Sequence, residues 1–261
     1  MYLSKEMSMQ QLPDHSFSLA GKTAMVTGGA AGIGHAICDA FLMKGARVVL
    51  IDIHPDVDKV AKQLSADRAL GLQVDVTCRQ SVQSATDDVK KRFGHIDILV
   101  NCAGIVALDD ALELSDKDWD NTMNVNLKSV YLMSQIVGRE MVANGVGRIV
   151  NIASQAGMVA IDKHLAYCAS KAGVISLTQV LALEWSPMGV TVNAISPTVV
   201  LTELGKKAWS GDVAKEMKMK IPTRRFAEPH EIASAAIYLA SDEAAMISGA
   251  NLVIDGGYTI Q

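Results

Sequence analysis

From about residue 21 onward, short β-branched runs alternate with longer stretches of helical character. The runs lie at 23–26 (TAMV), 47–52 (RVVLID), 72–76 (LQVDV), 96–101 (IDILVN), 148–152 (RIVNI), 190–195 (VTVNAI) and 251–255 (NLVID). Most are continuously apolar rather than alternating, the mark of strands covered on both faces in a parallel sheet. Strands separated by helices read as right-handed βαβ units. The pattern therefore predicts an α/β fold, a doubly wound seven-stranded parallel sheet with helices on both faces. A length of 261 residues fits one such domain. It is expected over 21–261, after an N-terminal extension at 1–20.

Helix signals fill the gaps. The stretch 33–44 closes at Gly45, a suitable residue just past a helix end. Helices are expected at 55–66 and 80–93, the latter ending at Gly94. Ser115 caps a long stretch to about 144, with Asp118 as a capping-box partner. Further helices are expected at 167–185 and 229–241, where Pro229 lies in the first turn. Residues 198–226 break the rhythm. They are rich in Lys and Met, carry Trp209, and are expected to form a substrate lid.

Several function classes are disfavoured. A net charge of −4, with 24 basic against 28 acidic residues, gives no footprint for nucleic acid or an anionic membrane. No continuous apolar run approaches the roughly 20 residues of a membrane span. The polar N-terminus has no apolar core of a signal peptide, which points to the cytoplasm. Cys38, Cys78, Cys102 and Cys168 form no C-x-x-C pair and are expected to be reduced. The histidines are scattered, so no metal site is expected.

The first run leads into Thr27-Gly28-Gly29-Ala30-Ala31-Gly32-Ile33-Gly34. A strand, a glycine-rich turn and a helix form a phosphate cradle, with backbone N–H groups and the helix N-terminus facing a pyrophosphate. Gly28, Gly32, Ile33 and Gly34 are the candidate contacts of a Rossmann-type site. Asp52 ends the second run, 18 residues after Gly34. A carboxylate there accepts hydrogen bonds from ribose hydroxyls and repels a 2′-phosphate, so NAD is expected rather than NADP. Asp75-Val76 and Asn101-Cys102-Ala103-Gly104 end the third and fourth runs, where sheets of this kind meet their ligands.

Ser154 lies just past the fifth run. Tyr167 follows 13 residues later and Lys171 four after that, on one face of the next helix. A free phenol, with a pKa near 10, is a poor base at neutral pH. A neighbouring ammonium is expected to lower that value and make Tyr167 a usable proton shuttle.

Taken in register, the glycine-rich turn, Asn101-Cys102-Ala103-Gly104, Ser154 and Tyr167-Cys168-Ala169-Ser170-Lys171 resemble the short-chain dehydrogenase/reductase family over nearly all of residues 20–261. The resemblance implies that Tyr167 is the catalytic acid/base and that Ser154 positions the substrate oxygen. It implies that Lys171 binds the nicotinamide ribose and tunes Tyr167, and that Asn126 supports a proton-relay water. Pro197, Val199, Val200 and Thr202 then belong to the cofactor site. Two positions depart from the family pattern. Cys102 stands where the family usually has Asn, and Thr198 where it usually has Gly.

Within the family, the stretch from Ser196 to Thr202, the 208–210 run, Ser154-Gln155 and His164 resemble the xylulose reductases and related polyol dehydrogenases. Gln155, His164 and Trp209 are accordingly expected to line the substrate pocket. Gln155, His164 and Thr198 can each exchange hydrogen bonds with a polyol. The expected activity is reversible NAD-dependent hydride transfer between a small polyol and its carbonyl counterpart. The alternatives are a 3-oxoacyl-carrier-protein reductase or other ketone reductase, and a non-catalytic dinucleotide-sensing scaffold. The resemblance also implies a homotetramer built through the two long helices.

Overall fold

The computed structural model describes residues 15–260; most of the N-terminal extension, 1–14, lies outside the described residues. The strands are β1 (Thr23–Thr27), β2 (Arg47–Asp52), β3 (Ala69–Gln73), β4 (Ile98–Asn101), β5 (Gly147–Ile152), β6 (Val190–Pro197) and β7 (Asn251–Ile254). They form one seven-stranded sheet in the order β3-β2-β1-β4-β5-β6-β7, parallel at every pairing. The chain reverses direction across the sheet between β1 and β4. That switch opens a crevice at the carboxyl ends of these two strands.

The helices are α1 (Gly32–Met43), α2 (Val57–Leu64), α3 (Arg79–Phe93), α4 (Asp116–Met123), α5 (Ser129–Asn144), α6 (Leu165–Trp185), α7 (Glu203–Ala208), α8 (Gly211–Met219) and α9 (Pro229–Ala240). Strand side chains alternate between two apolar layers. Val48 and Leu50 join Ile37 and Phe41 of α1 and Ala236 of α9, while Val49 and Ile51 join Val82 of α3 and Val137 of α5. Both layers are closed to water, which is why the runs read as continuously apolar. Phe41 is fully buried, and truncating it to Ala would cost about 3–5 kcal/mol.

Three elements differ from the sequence reading. β3 runs from Ala69 to Gln73 rather than over 72–76. Asp52, the last residue of β2, pairs with Gln73, and the ladder ends where Val74 N donates to the Asp52 carbonyl at 2.8 Å. Asp75 and Val76 therefore lie in the following turn, where Asp75 Oδ1 accepts from Thr77 N and Thr77 Oγ1. The long helix expected from Ser115 to 144 is interrupted by a π-helical turn, Asn124–Lys128, between α4 and α5. The last is α6. With its 3₁₀ extension, the segment Leu165–Met188 is long and apolar enough to cross a membrane by length and composition alone. One of its faces packs Val174 against Ala153 and Ala194, and it carries the buried Lys171.

Candidate active site

The glycine-rich turn joins β1 to α1. Gly28 (φ +67°) and Gly32 (φ +58°) take backbone conformations that favour glycine. A Cβ on Gly28 would press on the Ala103 backbone at 3.1 Å, and one on Gly34 would strike the Gly28 carbonyl. α1 begins with no side-chain cap and no acid in its first turn. Its N-terminal N–H groups, those of Ile33 and Gly34 among them, are thus available to an anion. Asp52 Oδ2 accepts from Ala30 N at 3.0 Å and its Oδ1 from His54 N at 3.0 Å. The carboxylate is held against the turn, where a ribose would lie. This cradle fits a dinucleotide.

Thr27, which the sequence reading did not single out, ties the cradle to the next strand. Its Oγ1 accepts from Cys102 N at 2.9 Å and Ala103 N at 3.0 Å. A Thr opening the glycine motif was the available signal. Ala103 and Gly104 thereby come to the crevice. The Asn101 side chain does not. Its Nδ2 donates to Asn151 Oδ1 at 2.8 Å and to Ser134 Oγ at 3.2 Å, inside the layer beneath the sheet. Asn101 serves the site through the chain it anchors. Burial pushes the Cys102 thiol up to about 12, so it is neutral.

Ser154 follows β5, and its Oγ accepts from Ala156 N at 3.1 Å. Tyr167 and Lys171 share a face of α6, with Lys171 Nζ 5.7 Å from the centre of the Tyr167 ring. Lys171 is buried and donates to the Ile152 carbonyl at 2.7 Å. Burial lowers its pKa to about 8. The Tyr167 phenol is not lowered, contrary to expectation. Burial raises it, and the hydrogen bond with Ser154 offsets only part of that rise. No lowering comes from the Lys171 ammonium, whose hydrogen bond goes to the Ile152 carbonyl.

Asn126 sits in the π-helical turn and is fully buried. Its Oδ1 accepts from Ile105 N at 2.8 Å, and its Nδ2 donates to the Ile105 carbonyl at 2.9 Å and to Ser170 Oγ at 3.1 Å. Both amide protons are committed, so a relay water has no donor on this side chain. Spacing along the chain does not mark Ser170 and Ile105 as its partners.

His164 stands at the N-terminal boundary of α6 with no side-chain capping bond, its ring centre 6.0 Å from that of Tyr167. Gln155 follows Ser154 and is buried. Trp209 is partly buried. Its ring meets Phe226 at 5.8 Å and packs with Val199 and Leu201 against Ala214, Met217 and Ile221. It adds to the small apolar cluster of the segment expected to be a lid, whose buried core is Ala214, Met217, Ile221 and Phe226. Val200 bridges to Ala227, and Thr202 Oγ1 caps α7 by accepting from Gly205 N at 3.0 Å. Thr202 Cγ2 lies 3.2 Å from where a Cβ on Gly32 would be. The root of this segment therefore closes on the phosphate cradle, next to Pro197 at the end of β6.

A family model described as enoyl-(acyl carrier protein) reductase matches residues 28–259. The chain is 54% identical over 248 residues to an NAD-dependent glycerol dehydrogenase of Listeria innocua, covering 95% of this chain and 98% of that protein. It is 55% identical over 251 residues to a D-threitol dehydrogenase of Mycolicibacterium smegmatis, covering 95% and 96%. Among solved structures, a putative NAD(P)-dependent gluconate 5-dehydrogenase from Beutenbergia cavernae, with bound NADP at low occupancy, superposes with a TM-score of 0.88. The two are 36% identical, and the match covers 94% of this chain and 99% of that one. With the glycine cradle, the Ser154, Tyr167 and Lys171 cluster and these matches all in one register, the chain belongs to the short-chain dehydrogenase/reductase family.

Proposed function

We propose that the chain oxidises small polyols, and reduces the corresponding carbonyl compounds, with NAD as cofactor. The observation that carries the reading is the joining of two sites across one crevice. On one side is a phosphate cradle guarded by a carboxylate, and on the other a tyrosine with a serine and a buried lysine. Gly28, Gly32, Ile33 and Gly34 hold the pyrophosphate, and Asp52 the adenosine ribose. Ala103, Gly104, Pro197, Val199, Val200 and Thr202 line the way to the nicotinamide. Bound there, the dinucleotide supplies the hydride acceptor for oxidation and the donor for reduction.

The residues of the chain handle the proton. Ser154 holds the carbinol oxygen, and Tyr167 Oη takes its proton as the C–H bond is broken. Lys171 orients the ribose. Because burial raises the Tyr167 phenol, the base form is scarce at neutral pH and oxidation accelerates toward alkaline pH. Reduction needs the protonated phenol and runs in the opposite sense. Gln155 and His164 present polar groups to the remaining hydroxyls. Such groups, left buried against an acyl chain, would each cost about 1–3 kcal/mol.

The assembly is a homotetramer. α6 is apolar on more than one face. Val174 is buried in the protomer, whereas Val180 is 50% and Leu183 80% exposed. A helix with two apolar sides is usually covered on both.

A substrate panel at about pH 7 and pH 9 tests the reading, with NAD and NADP in turn. Oxidation of glycerol, tetritols or pentitols with NAD, faster at the higher pH, is expected. Preference for acyl thioesters or simple aliphatic alcohols over every polyol would overturn it.

A further inference from the structure

A row of buried hydrogen bonds joins four elements through their side chains. Ser134 of α5, Asn101 of β4, Asn151 of β5 and Thr178 of α6 are each at most 3% exposed. Asn101 and Asn151 stand opposite each other in the register of β4 and β5. Asn101 Nδ2 donates to Ser134 Oγ at 3.2 Å and to Asn151 Oδ1 at 2.8 Å. Asn151 Nδ2 donates to Thr178 Oγ1 at 2.9 Å, and Thr178 Oγ1 donates in turn to the Val174 carbonyl at 2.8 Å.

Stability does not account for this row. Val100 and Val150, the neighbours of the two asparagines, belong to the apolar core. Replacing both partners of a buried hydrogen bond by apolar groups of the same shape is close to neutral. The row also leaves Asn101 Oδ1 without a partner, which is a further cost. What a buried hydrogen bond adds is direction: it selects one arrangement of the elements it joins, where an apolar contact tolerates sliding.

The candidate chemistry depends on such an arrangement. Ser154 lies three residues beyond Asn151 on the chain leaving β5, whereas Tyr167 and Lys171 stand on α6, and residues 155–166 intervene. The approach of Ser154 to the phenol is therefore set by how α6 sits against β5. Thr178 follows Lys171 by seven residues, two turns along the same helix face. Lys171 Nζ donates to the carbonyl of Ile152, the residue after Asn151, at 2.7 Å. One face of α6 is thus fastened to consecutive residues of β5 at two points. The flexible stem of Lys171 can follow a small slide of the helix, but the short Thr178 side chain, stiff about χ1, cannot.

We propose that Thr178 is a positioning residue, whose hydroxyl, held by Asn151, sets α6 against β5 so that Tyr167 meets Ser154 and the carbinol at proton-transfer distance. It acts through Ser154 and Tyr167 rather than on the substrate, and the inference rests on the roles proposed for them above. A misplacement of about 1 Å between reacting groups can cost up to about 10²-fold in rate.

Thr178→Val, Thr178→Ser and Ser154→Ala/Thr178→Val test this, with NAD and either glycerol or D-threitol. Thr178→Val keeps the shape and removes the hydroxyl. Its kcat is expected to fall about 5- to 50-fold through lost alignment. The polyol KM and the NADH Kd should stay within about 2-fold of wild type, since neither binding site is touched. Thr178→Ser restores the hydroxyl and should restore kcat. In a Ser154→Ala background the valine substitution should lower kcat by less than about 2-fold, because the contact it positions is already gone. If Thr178→Val does not fold, Asn151→Leu/Thr178→Val leaves no orphaned partner between them and carries the same expected fall in kcat. A lowered Tm with unchanged kcat, a serine variant behaving like valine, or a full additional loss in the Ser154→Ala background would each overturn the inference while leaving the polyol reading standing. Wild-type turnover that is insensitive to both Ser154→Ala and Tyr167→Phe would overturn the reading of the site and the inference with it.

Discussion

Lys171 carries the sharpest electrostatic consequence at the scale of single residues. Burial lowers its pKa from 10.5 to about 8. Between these values the unfolded chain still holds a proton that the folded chain has released. Stability therefore rises with pH across this window and is lost as pH falls through 8. The full effect is about 3 kcal/mol. Relative to Lys171→Met, which does not titrate, the wild type should gain stability from pH 8 to 10.5 in urea unfolding; a constant difference would show that Lys171 is not desolvated. Asp52 carries the cofactor choice. Its carboxylate would sit against a 2′-phosphate as a like charge, so Asp52→Ser should narrow the NAD over NADP ratio of kcat/KM. Equal use of both cofactors by the wild type would contradict that role. Glycine spacing, Asp52, Ser154, Tyr167 and Lys171 were legible because each motif is local in sequence. The direction of the Tyr167 shift was not legible. It depends on how deeply the helix face is covered, which spacing does not encode.

Among the elements, most strands and helices could be read from periodicity, because a parallel sheet buried on both faces imposes continuous apolar runs. The failures share a cause. The bounds of β3 depend on where its neighbour β2 ends, and the π-helical turn depends on contacts made outside its helix. Asn126 makes those contacts, clamping both backbone groups of Ile105 and reaching Ser170. Asn126→Ala would remove three hydrogen bonds, each worth about 0.5–1.5 kcal/mol net. A drop of that size in urea unfolding is expected, with the loop after β4 becoming more susceptible to protease. An unchanged midpoint would show that the turn is held by the helix alone. Trp209 was read for the pocket because of where it falls in the sequence. In the structure it also packs, partly buried, on the cluster of Ala214, Met217, Ile221 and Phe226, a contact that its place in the sequence does not encode.

For the whole molecule, the exposed apolar face of α6 and the family fold point to assembly. Leu183→Glu should dissociate the proposed tetramer, because a charge in an apolar interface is costly unless paired. Light scattering at micromolar protein should give four protomers for the wild type and fewer for the variant; a monomeric wild type would contradict the assembly. The central claim is that one crevice joins an NAD cradle to a tyrosine proton shuttle for polyol oxidation. Its most direct test is the turnover of glycerol and D-threitol with NAD by wild type and Tyr167→Phe, with the NADH Kd measured alongside. The phenylalanine keeps the ring and removes the transferable proton, so kcat should fall about 10²- to 10⁴-fold while NADH binding is retained. Polyol turnover by Tyr167→Phe at close to the wild-type rate would contradict the account.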